Sequence, residues 1–509
     1  MNLAELIERN AAFTPDKPAL HCGDDVWSYA FLARRIADLA RGMKSRLGVH
    51  RGDRVAVLAE NRPDYLALLY ACARLGAMLV PLNWRLAVPE QVFILRDAGV
   101  KAVFVAAGFE AVVGPLMHAL PQARIIGLDA GFDMRLGDLL AAAAGDGYEP
   151  HVDTATPLLI VYTSGTTGRP KGAVLTQQAL LFNGMMSQHM HAMTADDHVL
   201  TVLPFFHVGG LNIQTTPALH QGATVTIHPR FTAGDTLAAI ARDRPNLTVL
   251  VPSTMQAMQA HPLWSRTDLS SLRAVTTGSS IVPQPLIDRF AARDVPVLQV
   301  YGATETCPIA IYTRLGGDVT RPGSTGLQGL LCEARLVNAA GADVPDGVAG
   351  EILVRGPNVL VEYWGDAPAT AEALREGWYW TGDIASRDAD GYFTVLDRKR
   401  NVIVSGGENV YPAEIERVLH EHPAVAECAV IGAPDPRWQE APVAFVVLRE
   451  GAVATADELR AHAAAQLARF KLPREIIMVA ELPRNALGKV QHFRLREALA
   501  GLTFGRPVA

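Results

Sequence analysis

The sequence has 509 residues, 49% of them hydrophobic and 19% charged. At about 150 residues per domain, that length allows roughly three to four compact units, and the apolar content excludes an intrinsically disordered chain. The 46 Lys and Arg against 52 Asp and Glu leave a net charge of −6, which speaks against nucleic-acid binding through a basic face but leaves room for a local basic site for a phosphorylated ligand.

In chain order, Met1–Arg9 lacks the basic and apolar regions of a signal peptide. Residues 54–107 then alternate extended and helical runs: Arg54–Ala59 extended, Asp64–Leu75 helical, Ala77–Leu82 extended, Glu90–Ala98 helical, Ala102–Val105 extended. That rhythm predicts βαβ units and a mostly parallel sheet. The most apolar stretch, Tyr65–Val80, contains Arg74 and is too short to cross a bilayer. The rhythm returns with strands at Ala223–Ile227, Leu247–Val251, Leu272–Thr276 and Val297–Val300, and helices at Thr236–Arg242 and Pro285–Ala292. From about Gly326 to Val404, short strands and turns predict a barrel-like antiparallel unit. After about Lys399 a smaller α+β pattern follows, with helices near 412–420 and 456–469. The cysteines Cys22, Cys72, Cys307, Cys332 and Cys428 are odd in number and form no CxxC. A disulfide framework or zinc site is therefore not expected, and a reducing, cytoplasmic setting fits.

The strongest chemical signal is Tyr162-Thr-Ser-Gly-Thr-Thr-Gly-Arg-Pro-Lys171-Gly172, which follows the apolar run Leu158–Val161. Small residues let backbone N–H groups approach phosphate oxygens, the hydroxyls add donors, and Arg169 and Lys171 add charge. It is not a Walker A loop, which opens a helix; here Arg169-Pro170 intervene and an extended run, Ala173–Leu175, follows. Two further polar loops follow predicted strands: Thr277-Gly278-Ser279-Ser280 and Tyr301-Gly302-Ala303-Thr304-Glu305. Ligands of doubly wound sheets sit beyond the carboxyl ends of strands, so three such loops predict one shared crevice. There Tyr301 offers a flat ring to a base and Glu305 a carboxylate to Mg²⁺. Farther on stand Thr381-Gly382-Asp383, Asp397-Arg398-Lys399-Arg400, Gly406-Gly407 and Lys489 after Gly488. Each alone has an ordinary reading as a surface turn, a strand end or a solvated charge run.

Together and in this order, the motifs resemble those of the adenylate-forming superfamily, most closely the acyl-CoA and aryl-CoA ligases, over essentially the whole chain. The resemblance implies an α/β fold, with a large N-terminal domain (1–398) of two α/β subdomains plus a distorted β-barrel, and a small mobile α+β C-terminal domain (399–509). It implies two half-reactions: an acid and MgATP give acyl-AMP and pyrophosphate, then the CoA thiol displaces AMP. By motif position, Thr163, Ser164, Gly165, Thr166, Thr167, Gly168 and Lys171 would hold the β- and γ-phosphates. Gly278, Ser279, Ser280, Tyr301, Gly302 and Ala303 would line the adenine site, Thr304 the α-phosphate, Glu305 Mg²⁺, and Asp383 with Arg398 the ribose. Lys489 would neutralise charge during adenylation, with Glu305, Thr304 and His207 beside it. Arg400 would be the hinge, and Gly406-Gly407 would cover the CoA tunnel. Arg400 and Asn401 stand where acidic residues or Lys are common, and Gln177 replaces a frequent His. For the CoA nucleotide, Phe470, Lys471, Arg474 and Trp438 are candidates whose ordinary reading is solvated charge or packing.

Family position also puts Phe206, His207 and Gly209 at the acyl site, with Met255 as adaptable lining. The segments 205–212, 252–259 and 301–310 contain no Lys or Arg, so an apolar monocarboxylate is expected, a fatty acid first and an aromatic acid second. A carrier-protein-loading enzyme is the first alternative; the chain ends at Ala509 without a carrier domain, which weighs against an assembly-line module. A catalytically silent nucleotide-binding protein is the second, opposed by the intact Glu305, Asp383, Arg398 and Lys489. A homodimer is left open.

Overall fold

The computed structural model describes residues 1–141, 145–163, 170–278, 282–317, 321, 323–405, 408–435, 438–484 and 490–503. Two mainly parallel sheets form most of the body. The first has seven strands in the order Glu362–Tyr363, Lys171–Thr176, Pro157–Thr163, Met78–Pro81, Arg54–Leu58, Ala102–Val105, Arg124–Gly127. The last five run parallel, as the helices between successive strands predict.

The helix Pro63–Leu75 is buried at all its positions. A helix apolar all round needs cover on every side. Here it packs against the helix Tyr29–Leu47 and against strands of both sheets. Arg74 within it is paired with Glu8 and donates to Gly147 O at 3.2 Å. Gln177 is a buried bracket in the same region, accepting from Leu3 N at 2.8 Å and donating to Ala73 O at 2.9 Å.

The second sheet has nine strands, from Leu327–Gln328 through Ile311–Tyr312, Val297–Tyr301, Ala274–Gly278, Leu247–Leu250, His198–Thr201 and Thr224–Ile227 to Pro18–Cys22 and Asp25–Ser28. Its parallel core matches the second rhythm in the sequence. Two details differ. The expected strand Leu272–Thr276 lies at Ala274–Gly278, because Leu272 N closes a turn on Leu269 O at 2.9 Å. The hairpin Pro18–Ser28 crosses from the N-terminus to join this sheet, with Leu20 opposite Val225, a long-range pairing that no local periodicity signals.

The antiparallel unit comprises Glu333–Val337, Gly350–Arg355, Trp378–Arg387 and Leu374–Arg375, with Phe393–Arg398 paired to Trp378–Arg387. The C-terminal unit has its own sheet, on which Glu475–Met478 lies parallel to Gln439–Leu448, and its own buried clusters around Ile415, Val430 and Phe445. Its helix Pro412–His420 falls where the sequence put it, whereas the next helix, Ala456–Ala464, ends early and gives way to a 3₁₀ turn at Arg469–Lys471. No helix among the described residues is long and apolar enough to cross a membrane.

Glu416 on that helix has a buried carboxyl whose Oε1 accepts from Val430 N at 2.8 Å. Burial, with the nearby Asp397 charge, pushes its pKa up to about 8 from 4.5. Between those two values the folded chain keeps a proton that the unfolded chain has released. Glu416's contribution to stability therefore falls as pH rises through this window and is level above about 8. Glu416→Gln keeps the acceptor and removes the titration. Its urea midpoint should gain on wild type as pH rises from about 5 to 8. A midpoint difference independent of pH would show that Glu416 titrates normally.

Candidate functional site

The ends of the Thr163–Gly172 segment lie on two paired strands. Pro157–Thr163 pairs antiparallel with Lys171–Thr176, placing Thr163 opposite Lys171, and the Thr163 hydroxyl lies 3.5 Å from Lys171 O. The two ends of the expected phosphate loop are thus clasped at the edge of the first sheet. Ser164, Gly165, Thr166, Thr167 and Gly168 lie outside the described residues. Lys171 Nζ sits 5.5 Å from the Tyr363 ring centroid, a cation–π contact.

Beyond that contact, two tyrosines hold two carboxylates. Tyr363 OH donates to Glu305 Oε1 at 2.8 Å, and Tyr301 OH donates to Asp383 Oδ2 at 2.8 Å. Tyr379, two residues before Thr381, is buried between them: the charges of Glu305 and Asp383, after burial, hold its phenol proton well above the usual range. Burial and the neighbouring carboxylates push Tyr301 and Tyr363 up in the same way. All three phenols therefore keep their protons and can act as donors. Sequence reading singled out Tyr301 but missed Tyr363 and Tyr379; the run of aromatics Trp378-Tyr379-Trp380 immediately before Thr381-Gly382-Asp383 is a signal by which Tyr379 could have been found.

Glu305 is 8% exposed and stands in a one-turn 3₁₀ helix, Thr304–Thr306. The turn is set by Ala303 N donating to Thr306 Oγ1 at 2.9 Å. Gly302 is required here: a Cβ would fall 1.6 Å from Pro308 O. Gly278 ends the adjacent strand, where a Cβ would meet Val300 O at 2.3 Å. Ser279 and Ser280 lie outside the described residues.

Asp383 and Arg398 are direct partners across the antiparallel pair, with Arg398 Nε 3.5 Å from Asp383 Oδ1. Glu351, which the sequence did not flag, receives Lys399 Nζ at 2.7 Å on one oxygen and Gly382 N at 3.2 Å on the other. Arg400 occupies the short turn Lys399–Asn401. Asp397 spans the same joint. Its Oδ1 accepts from Arg398 N at 2.6 Å and Asn401 Nδ2 at 3.0 Å, and its Oδ2 from Ala413 N at the start of Pro412–His420 at 3.1 Å. Gly406, Gly407 and Lys489 lie outside the described residues. Lys471 is paired with Glu414 and Arg474 with Asp435, each at 2.8 Å.

At the expected acyl site, Phe206 packs edge-on against Trp84 at 6.1 Å and against His207 at 4.7 Å between ring centroids. Gly209 follows on the same loop, half-buried, in the short helix Val208–Gly210. The structure does not bring Met255 to this group. Met255 is wholly buried with Leu200, Leu237 and Phe290, in the cluster served by the helices Ala233–Asp243 and Gln284–Ala291. It faces that core because the strand before it ends at Leu250 and Pro252 starts a helix. His189, His191 and His198 bond instead to Tyr312, Thr276 and Thr226, and no metal-ligand cluster occurs among the described residues.

The donor set suits a magnesium nucleotide. Glu305 has one oxygen held by Tyr363, while the other makes no hydrogen bond among the described residues, as a hard cation requires. Asp383 can accept from ribose hydroxyls, with Arg398 beside it.

The AMP-binding enzyme family model matches residues 7–364, and the AMP-binding enzyme C-terminal domain model matches residues 414–489. The chain is 47% identical to an indoleacetate–CoA ligase of Aromatoleum aromaticum, covering 99% of each. It is 40% identical to a feruloyl-CoA synthase of an Amycolatopsis species, covering 95% of this chain and 96% of that one. With a long-chain-fatty-acid–CoA ligase of Mycobacterium tuberculosis the identity is 36%, over 92% of this chain and 91% of that one. Among solved structures, an anthranilate CoA ligase in complex with anthranoyl-AMP superposes with a TM-score of 0.92 at 28% identity, covering 99% of this chain and 98% of that one. The chain belongs to the AMP-binding enzyme family, among the acyl- and aryl-CoA ligases of the adenylate-forming superfamily, which use ATP, Mg²⁺ and CoA.

Proposed function

We propose that this protein is an AMP-forming ligase joining an aromatic monocarboxylic acid to CoA. The observation that carries the choice of acid is the end-to-end match to an indoleacetate–CoA ligase at 47% identity, supported by the Trp84–Phe206–His207 surface beside the site. The fatty acid that the sequence ranked first becomes the second choice.

In the first half-reaction a carboxylate oxygen attacks the α-phosphorus, forming a P–O bond as the bond to pyrophosphate breaks. Thr163 and Lys171, with the loop between them, hold the leaving phosphates. Tyr301 lends its ring to the adenine while its hydroxyl holds Asp383 toward the ribose, and Arg398 braces Asp383 from the other side. Glu305 would hold Mg²⁺, which supplies charge neutralisation on the phosphates. Lys489 would lie between the two anions as they meet. In the second half-reaction the CoA sulfur bonds to the acyl carbon, its proton leaves to solvent, and the acyl C–O bond to AMP breaks.

The test is pyrophosphate release across arylacetic, cinnamic, benzoic and C8–C16 fatty acids, with and without CoA. An arylacetic or cinnamic acid should give CoA-dependent multiple turnovers, with kcat/KM at least about tenfold above any fatty acid. A single CoA-independent turnover with no thioester would favour carrier loading. Fatty acids leading the panel would overturn the choice of acid.

A further inference from the structure

The acyl-site loop runs directly into a π-helical turn, Leu211–Thr215, with Leu211 N bonded to His207 O at 3.0 Å. Such turns are rare and re-aim the side chains they carry. Gln214 in this turn is 1% exposed. Its Nε2 donates to Thr276 Oγ1 at 3.2 Å and lies 3.0 Å from His191 Nε2. The histidine fixes which way the amide faces. His191 Nδ1 lies 2.7 Å from Ser187 O and so carries the proton, leaving Nε2 to accept the Thr276 hydroxyl at 2.7 Å. Burial pushes the His191 pKa down to about 4, keeping the ring neutral. A reversed amide would set its oxygen against the lone pair of His191 Nε2.

Gln214 Oε1 is consequently a buried acceptor with no hydrogen-bond partner among the described residues. Thr276 stands two residues before Gly278 on the strand Ala274–Gly278, so the two share a face. The Gln214 side chain therefore bridges the root of the acyl loop and the strand that leads to Gly278. Buried polar atoms without partners are uncommon in folded proteins and mark places where something else completes the bond.

We propose that Gln214 Oε1 accepts a hydrogen bond from an N–H on the ring of the bound aromatic acid, making Gln214 a specificity-determining residue for acids with a ring donor. This rests on the aryl-CoA ligase reading above. The partner must be a donor, because every other polar atom of the amide is engaged. It is neutral, because the side chains bonded to the amide, His191 and Thr276, carry no charge to match an ion. A hydrocarbon ring or a fatty chain would leave the acceptor unpaired, a penalty larger than a simple difference in shape.

The test compares kcat/KM for thioester formation with indole-3-acetate, 1-naphthylacetate and 1-methylindole-3-acetate. The naphthyl acid keeps the fused-ring shape without the donor. Wild type should prefer the indole acid by at least about tenfold over both analogues, and Gln214→Leu should bring the indole–naphthyl ratio to about one, losing rate mainly on the indole acid. Equal wild-type rates on the indole and naphthyl acids would overturn the proposal whether or not the variant folds. So would an undiminished preference in Gln214→Leu, where naphthylacetate turnover reports a folded site. Failure of the underlying reading looks different: no aryl acid is converted while a fatty acid is.

Discussion

Glu305→Gln is expected to slow pyrophosphate release about 10²- to 10³-fold while leaving the fold intact, the scale of losing one preorganised electrostatic partner of a transition state. The substitution keeps the side-chain volume and an oxygen for the Tyr363 hydroxyl, which now lies 2.8 Å from Glu305 Oε1. What it removes is the negative charge opposite the bound cation. The measurement is ATP–pyrophosphate exchange against Mg²⁺ concentration, with urea midpoints as the structural control. The loss should shrink as Mg²⁺ is raised. A variant with full exchange at every Mg²⁺ level would show that Glu305 braces Tyr363 and nothing more.

Lys489→Ala should divide the two half-reactions. Adenylation should fall about 10³-fold, because an in-line transfer at phosphorus depends on positioned cations, while thioester formation from supplied aryl-AMP should stay near wild type. The lysine lies outside the described residues; Arg484 and Val490, which flank that stretch, form an antiparallel β-bridge. Equal loss of both half-reactions would contradict a role confined to adenylation.

Much of the architecture was legible because the parallel strands here are short, buried and separated by helices with clear periodicity. Ala102–Val105 and Pro412–His420 were located to the residue. The misses have physical causes. Pro18–Ser28 is an edge hairpin whose parallel partner lies some two hundred residues away, so nothing local announces its sheet. Met255 has the adaptable side chain expected of a pocket wall, but polarity alone does not reveal which face of the sheet a helix after Pro252 will cover. At the site, motif order pointed to the charged residues Glu305, Asp383 and Arg398, two of which, Asp383 and Arg398, the fold pairs. Their supports, Tyr363 and Glu351, with Tyr379 buried nearby, escaped because an isolated tyrosine or a glutamate in a strand looks like ordinary packing until the fold sets Tyr363 2.8 Å from Glu305 Oε1 and Glu351 3.2 Å from Gly382 N. Gln214 escaped for the same reason: its significance lies in a bond it does not make.

Asp397 joins both sides of the proposed hinge, one oxygen on the turn at Asn401 and the other on the first helix beyond it. A swing of that helix about Arg400 would pull Ala413 N away from the carboxylate, so the proposed pivot would be a latch as well. A helix-start hydrogen bond of this kind is worth about 1 kcal/mol, a factor of about five in an equilibrium at room temperature. That is enough to make the resting enzyme wait mostly in one pose, and small enough that the arrival of a thiol substrate, by binding the other pose a few times more tightly, would tip it over.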